Sequence, residues 1–139
     1  MRGVVTLTTI DGFAPLLTGA LAELSATFPR LRVHVHLSDV GLSLRRSQAE
    51  IGLAVLDKPP VSLVGRKLFP VRFGVFAATS GVDVDRCRWV VLGAPVERSW
   101  LGEWESKHVP RDRVAVASAS RLLLMELVAG GVGVGVLPA

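Results

Sequence analysis

VVTLTTIDGFAPLLTGALAELSATFPRLRVHVHL, residues 4–37, is the stretch on which the fold turns. VVTLTTI is β-branched and apolar, the composition of a strand buried on both faces. From Phe13 onward Leu16, Leu17, Leu21 and Leu24 recur at helical spacing, and Asp11 stands where an N-cap or first-turn acid belongs. Pro15 is tolerated in a first turn, and Pro29 stops the helix. LRVHVHL then alternates apolar and polar residues, the period of a second strand. Strand, amphipathic helix and strand in this order predict a βαβ unit and a parallel sheet.

The same alternation continues outward. GLSLRRSQAE (41–50) reads as a short helix or helical turn, and IGLAVL (51–56) as a third strand. After the DKPP turn, SLVGRKLF (62–69) and VRFGVFAAT (71–79) read as two further strands separated by Pro70, which breaks the βα rhythm. Beyond a polar connector the pattern restarts: strand RWVVLG, helix RSWLGEWESKH, strand RVAVAS, helix SRLLLMELVAG, strand VGVGVLP. The expected architecture is therefore α/β with mainly parallel sheets, in two lobes spanning residues 1–78 and 79–139. A small ligand is expected in the cleft between such lobes.

The chain of 139 residues is long enough to bury a core, and 50% hydrophobic with 20% charged residues is a globular composition. Its net charge of +4 would suit an acidic partner, but the arginines are scattered singly and in pairs, which reads as a solvated surface. The lone Cys87 can form neither an internal disulfide nor a zinc cluster, so a reducing, cytoplasmic setting is expected. Asp11 and the threonines interrupt any signal-peptide core near the N-terminus. Glu126, the glycines and Pro138 interrupt the apolar tail, so no membrane segment is expected.

That tail, LVAGGVGVGVLPA (127–139), raises the question of a phosphate-binding loop. Such a loop follows a strand and opens a helix, so that backbone N–H groups and the positive helix end face the anion. Here the order is reversed: the helix comes first, Gly130 and Gly131 fall where a left-handed C-cap is needed, and the chain runs on into a strand. A tight helix-to-strand turn with close backbone packing is the expectation, and no nucleotide or other cofactor is expected.

LAELSATFPRLRVHVHL, SQAEIGLAVLDKPPVSLVGRKLFPVRFGVFAA and ELVAGGVGVGVLP, in this order, resemble the effector-binding domain of LysR-type transcriptional regulators. In that family a helix ending in YP precedes the second strand, an ADIA segment forms the next, and VAAGLGIALLP closes the region. The resemblance implies a two-lobed, type 2 periplasmic-binding-protein-like fold with a small-molecule effector in the cleft. It also implies a homodimer or higher oligomer, acting on DNA through a separate winged helix-turn-helix that normally precedes this domain. The chain starts at the first effector-domain strand and stops where the family crosses back to the first lobe, so it is expected to lack the DNA-binding part and a returning strand and helix. Glu50 replaces the family's aspartate, and Ala54 stands where an arginine often follows, removing an anion-binding charge for which Lys58 or Arg72 would have to compensate.

Ligands of open α/β sheets sit beyond the carboxyl ends of strands. With the family's effector pocket, that rule selects Thr9, Ile10 and Asp11 after the first strand and Ser38, Asp39 and Val40 after the second. From the second lobe it selects Trp100, in the first turn of a helix, and Ser118, expected to start the next helix. Asp11 as a contact would favour an amine or hydroxyl, and with Ala54 this tilts the expectation toward neutral or cationic effectors.

Other candidates have structural readings. Trp100 and Trp104 share a helix face. His34 and His36 share a strand face, but a closed metal site needs three or four ligands, so no metal is expected. His108 sits at a negative helix end. Glu97, Glu103 and Glu105 read as a solvated helix face, and Ser99 and Ser118 lack a nucleophile-elbow context. No acid, base and nucleophile constellation is evident, so no enzyme activity is expected. The alternatives are a periplasmic-type solute-binding protein, and an incomplete fragment without independent function.

Overall fold

In the computed structural model, which describes residues 2–37, 49–56, 61–93 and 99–139, the chain forms two compact units, Met1–Leu68 and Phe69–Ala139. In the first, β1 (Gly3–Thr9) leads through a 3-10 turn (Asp11–Phe13) into α1 (Ala14–Thr27) and then β2 (Leu31–Leu37). A short β3 (Ile51–Gly52) completes a parallel sheet in the order β2-β1-β3. The opening βαβ unit is as the hydrophobic pattern predicts. Pro15 lies in the first turn of α1, and the helix closes before Pro29, with the Phe28 N–H donating to the Leu24 carbonyl.

β1 is buried on both faces only over Leu7, Thr8 and Thr9, where successive side chains point to opposite sides. Its first residues, Gly3 and Val4, are exposed. The strand expected over residues 51–56 is cut to Ile51–Gly52. Leu53 N–H still donates to the Thr8 carbonyl at 3.0 Å, but β1 then turns into the 3-10 segment and ends the backbone ladder. The expected short helix at 41–50 falls almost wholly outside the described residues. Residues 62–69 form no strand: Val61 and Val64 are fully exposed at 106% and 107%, and an apolar run without a partner strand has nothing to pair with.

The second unit contains β4 (Phe73–Phe76), a 3-10 turn (Val84–Arg86), β5 (Trp89–Leu92), α2 (Trp100–His108) and a 3-10 turn (Arg111–Arg113). β6 (Val114–Ser118), α3 (Arg121–Ala129) and β7 (Gly135–Pro138) follow. β5 and β6 are parallel, whereas β4 and β7 pair antiparallel, from Phe73 with Pro138 to Phe76 with Gly135. That long-range pair ties residues 73–76 to the second unit. The second unit thus begins at Phe69, and local patterning carries no signal for the β4–β7 pairing.

All of β5 is buried. Val90 and Leu92 pack with Leu101 of α2 and with Leu124 and Val128 of α3, while Trp89 and Val91 pack with Val109 and Val134. The glycine turn after α3 is a Schellman cap: Val132 N–H donates to the Leu127 carbonyl and Gly131 N–H to the Val128 carbonyl, each at 3.0 Å. Gly131 carries the left-handed backbone, φ +75°, while Gly130 remains helical. The reading of these residues as a helix-to-strand turn holds.

Candidate functional site

The carboxyl end of β1 brings Thr9, Ile10 and Asp11 together. Thr9 is fully buried, and its hydroxyl donates to the Leu53 carbonyl at 3.1 Å, so this side chain holds the end of the sheet. Ile10 occupies the position before the 3-10 turn, its carbonyl accepting the Phe13 N–H at 3.1 Å. Asp11 is the first residue of that turn, so of its two structural readings the structure shows the first-turn acid, half-buried beside the buried Phe13. Ser38, Asp39 and Val40 lie outside the described residues.

Near the same sheet, Glu50 stands at the place of the family's aspartate. Its backbone N–H donates to the Thr6 carbonyl at 3.0 Å, and its Oε2 accepts the Thr6 N–H at 2.7 Å. That backbone N–H holds the carboxyl below its usual value of 4.5. The sign follows: the bond's contribution is complete above the unfolded carboxyl's value and is lost as pH falls through the lower folded value. Glu50→Gln should therefore be less stable than the parent at neutral pH, with the gap closing as the parent protonates. Acid titrations of unfolding for the two proteins test this, and parallel curves would refute it.

In the second unit β5 and β6 run parallel, and each is followed in the chain by a helix, α2 and α3. Trp100 is the first residue of α2, after the cap Ser99, whose Oγ accepts the Gly102 N–H at 3.3 Å. Trp100 remains 40% exposed and meets Phe73 edge-on, with ring centroids 4.8 Å apart and planes at 78°. Trp104 instead stacks on His108 at 4.4 Å, so the two tryptophans have separate partners. Ser118 does not start the next helix. It is the last residue of β6, its Oγ accepts the Ser120 N–H at 3.1 Å, and Ser120 caps α3 by accepting the Leu123 N–H at 3.0 Å. Thus Trp100 and Ser118 share one end of one sheet.

Glu105 overturns a sequence expectation. Glu103 is exposed and Glu97 lies outside the described residues, but Glu105 is only 4% exposed. It lies on the apolar stripe of α2, four residues from both Leu101 and Val109, and that spacing was the available signal. Oε2 accepts the Leu92 N–H at 2.9 Å, while Oε1 has no hydrogen-bond partner among the described residues. Burial pushes its carboxyl up from 4.5, opposed by the Leu92 hydrogen bond and by the charge of Arg121.

The half-buried Cys87 donates from its thiol to the Asp83 carbonyl at 3.2 Å. Among the described residues there is no group of three or more metal-ligating side chains, and no helix is long and apolar enough to cross a membrane. Ala54 is half-buried, Arg72 is exposed, and Lys58 lies outside the described residues.

The family described as LysR substrate binding domain matches residues 1–139. Among solved structures, the chain is similar to the regulatory domain of CrgA, a LysR-type transcriptional regulator from Neisseria meningitidis. That match has a TM-score of 0.79 and 18% identity, over 99% of this chain and 74% of that one. The regulatory domain of MexT, a transcriptional activator in Pseudomonas aeruginosa, gives a TM-score of 0.74 and 18% identity, over 99% of this chain and 73% of that one. An HTH-type transcriptional regulator of Xanthomonas campestris pv. campestris (strain 8004) is 35% identical over 74 residues. That stretch covers 53% of this chain, but only 20% of the regulator's length.

Proposed function

Because the chain belongs to the LysR substrate-binding-domain family and has the type 2 periplasmic-binding-protein-like fold of LysR regulatory domains, we propose that it senses a small-molecule effector for a transcriptional regulator. The family match over the whole chain carries this reading. Effector contacts are assigned to the carboxyl ends of the strands: Ile10 and Asp11, with Thr9 shaping the sheet beneath them, and Trp100 with Ser118. Ser38, Asp39 and Val40 keep the role given them by their place after β2. An acid at Asp11 and an indole at Trp100 suit an amine, a hydroxyl or an apolar ring better than a carboxylate.

The mechanism is a population shift: the effector biases the domain toward the arrangement it binds best, by no more than its differential affinity. The signal reaches DNA through a separate winged helix-turn-helix, in a cytoplasmic homodimer or larger assembly. The relatives are transcriptional regulators, and this reading assigns no catalysis.

Thermal unfolding across a panel of amines, amino acids and aromatic acids tests the assignment. A true effector at a hundred times its Kd stabilises the native state by about 2.7 kcal/mol. Asp11→Ala should weaken the ligand-dependent rise in Tm by more than it lowers the ligand-free Tm. Equal losses in both would leave Asp11 only its turn role, and a panel without any dose-dependent shift would count against effector sensing by this chain.

A further inference from the structure

We propose that His34 and His36 form an open, two-nitrogen site for a divalent transition metal, with Cu2+ preferred, a binding property separate from effector sensing. Both lie on β2, an outer strand of the first unit's sheet, paired with Thr6 and Thr8 of β1. Residues two apart on a strand share a face, with their side chains rooted roughly 6.7 Å apart. Two imidazoles at that separation can turn inward and each bring a nitrogen to within about 2.0–2.1 Å of one ion.

Both histidines are exposed, and among the described residues neither ring is engaged in a hydrogen bond, ion pair or ring contact. Turning them inward therefore breaks no interaction among the described residues. Two ligands do not make a closed structural site, and water would complete the coordination shell. Such a site exchanges its ion readily and adds little to folding, unlike a four-ligand zinc site.

The surroundings select the metal. Arg32 stands two residues before His34 on the same strand face, and no carboxylate shares that row. A nearby cation and an all-imidazole donor set exclude hard, carboxylate-seeking ions such as Mg2+ and Ca2+. Of the metals that favour imidazole, Cu2+ binds most strongly, and only a strong binder overcomes the repulsion from Arg32.

The test uses the full chain carrying Cys87→Ser, so that the thiol neither binds nor reduces the metal. Copper(II) chloride is the probe, followed by equilibrium dialysis and electron paramagnetic resonance. The expected result is saturable binding with hyperfine structure from two imidazole nitrogens. His34→Asn or His36→Asn should weaken it by about tenfold or more, because the second imidazole binds at high effective concentration. The double variant should lose the signal while its far-ultraviolet circular dichroism stays that of the parent. Unchanged stoichiometry and nitrogen pattern in the double variant would place the ion elsewhere, at His108 or the amino terminus, and overturn the proposal. A parent that shows no saturable binding would overturn it equally.

Discussion

Glu105→Ala should destabilise the second unit by about 1–3 kcal/mol, the usual consequence of leaving a buried backbone donor without an acceptor. Glu105→Gln, which keeps an oxygen for that donor, should leave stability at neutral pH unchanged or raise it. The reason lies at the edge of β5. Val90 N–H donates to the Val134 carbonyl at 2.9 Å, and Leu92 N–H, two residues further, faces the same edge. Beyond Val134 the chain leaves β5 to pair with β4, so among the described residues no strand pairs with Leu92 on this edge. The Glu105 carboxylate takes that place from α2 and completes an edge that would otherwise be buried and unpaired. Trp89, Trp100 and Trp104 are the only tryptophans and all lie in the second unit, so urea unfolding followed by their fluorescence reads it directly. An alanine variant as stable as the parent would show that Leu92 N–H has another acceptor.

The same substitution carries a pH signature. The Glu105 carboxyl is raised by burial, so the folded state holds its proton to higher pH than the unfolded chain. Below the unfolded value both states are protonated and the group has no effect. As pH rises through that value and on through the raised folded value, stability falls, and the loss is complete above it. Glu105→Gln removes this slope, so its advantage over the parent grows with pH across that window. Glu50, in the first unit, works in the opposite direction, its contribution disappearing on acidification. The parent-minus-glutamine difference at each position isolates the two effects, because the residues belong to separate units.

How far the fold was legible depended on whether the deciding interaction was local. The opening βαβ unit and the strand, helix, strand, helix, strand run from Trp89 onward follow from periodicity, Pro29 and the capping residues, all read within a few positions. The β4–β7 pair was not legible, because Phe73 and Pro138 come together only in the folded chain and nothing near either announces it. The strand at 51–56 is shorter than its apolar run for a related reason: its length is set by where β1 stops. At Glu105 charge points to solvent, but the spacing from Leu101 and Val109 puts the residue on the apolar stripe, where it is buried. At the end of β6 the division of labour between Ser118 and Ser120 is not legible. Two serines two apart present equal cap chemistry, and only the backbone shows where β6 ends.

Among substitutions at Gly131, Gly133 and Gly135, Gly133→Ala should be the most damaging, lowering stability by about 3 kcal/mol, the upper end of what overpacking usually does. A methyl at this position would stand 2.6 Å from the Arg88 carbonyl oxygen and 3.0 Å from its carbon. Both atoms are backbone, so no side chain can swing aside. The same carbonyl accepts the Val134 N–H at 2.8 Å, and Val134 returns a bond to Val90, so moving Arg88 would disturb the ladder that joins the final segment to β5. Gly131→Ala meets nothing closer than the Ala78 Cβ at 3.8 Å, and its burden is only the left-handed backbone, φ +75°. That conformation costs about 1–2 kcal/mol for a residue with a side chain. Gly135→Ala falls between them: its nearest clashes, at 2.9 and 3.0 Å, are side-chain methyls of the buried Val128 and Val90, and the nearest backbone atom, the Val90 carbonyl oxygen, is further off at 3.2 Å. Urea unfolding of the three variants should therefore rank Gly133 first, Gly135 second and Gly131 last. If these glycines instead cradled an anion, Gly133→Ala would spare stability and weaken phosphate binding. A parent-like unfolding curve with reduced phosphate affinity would reverse the assignment of this turn to folding.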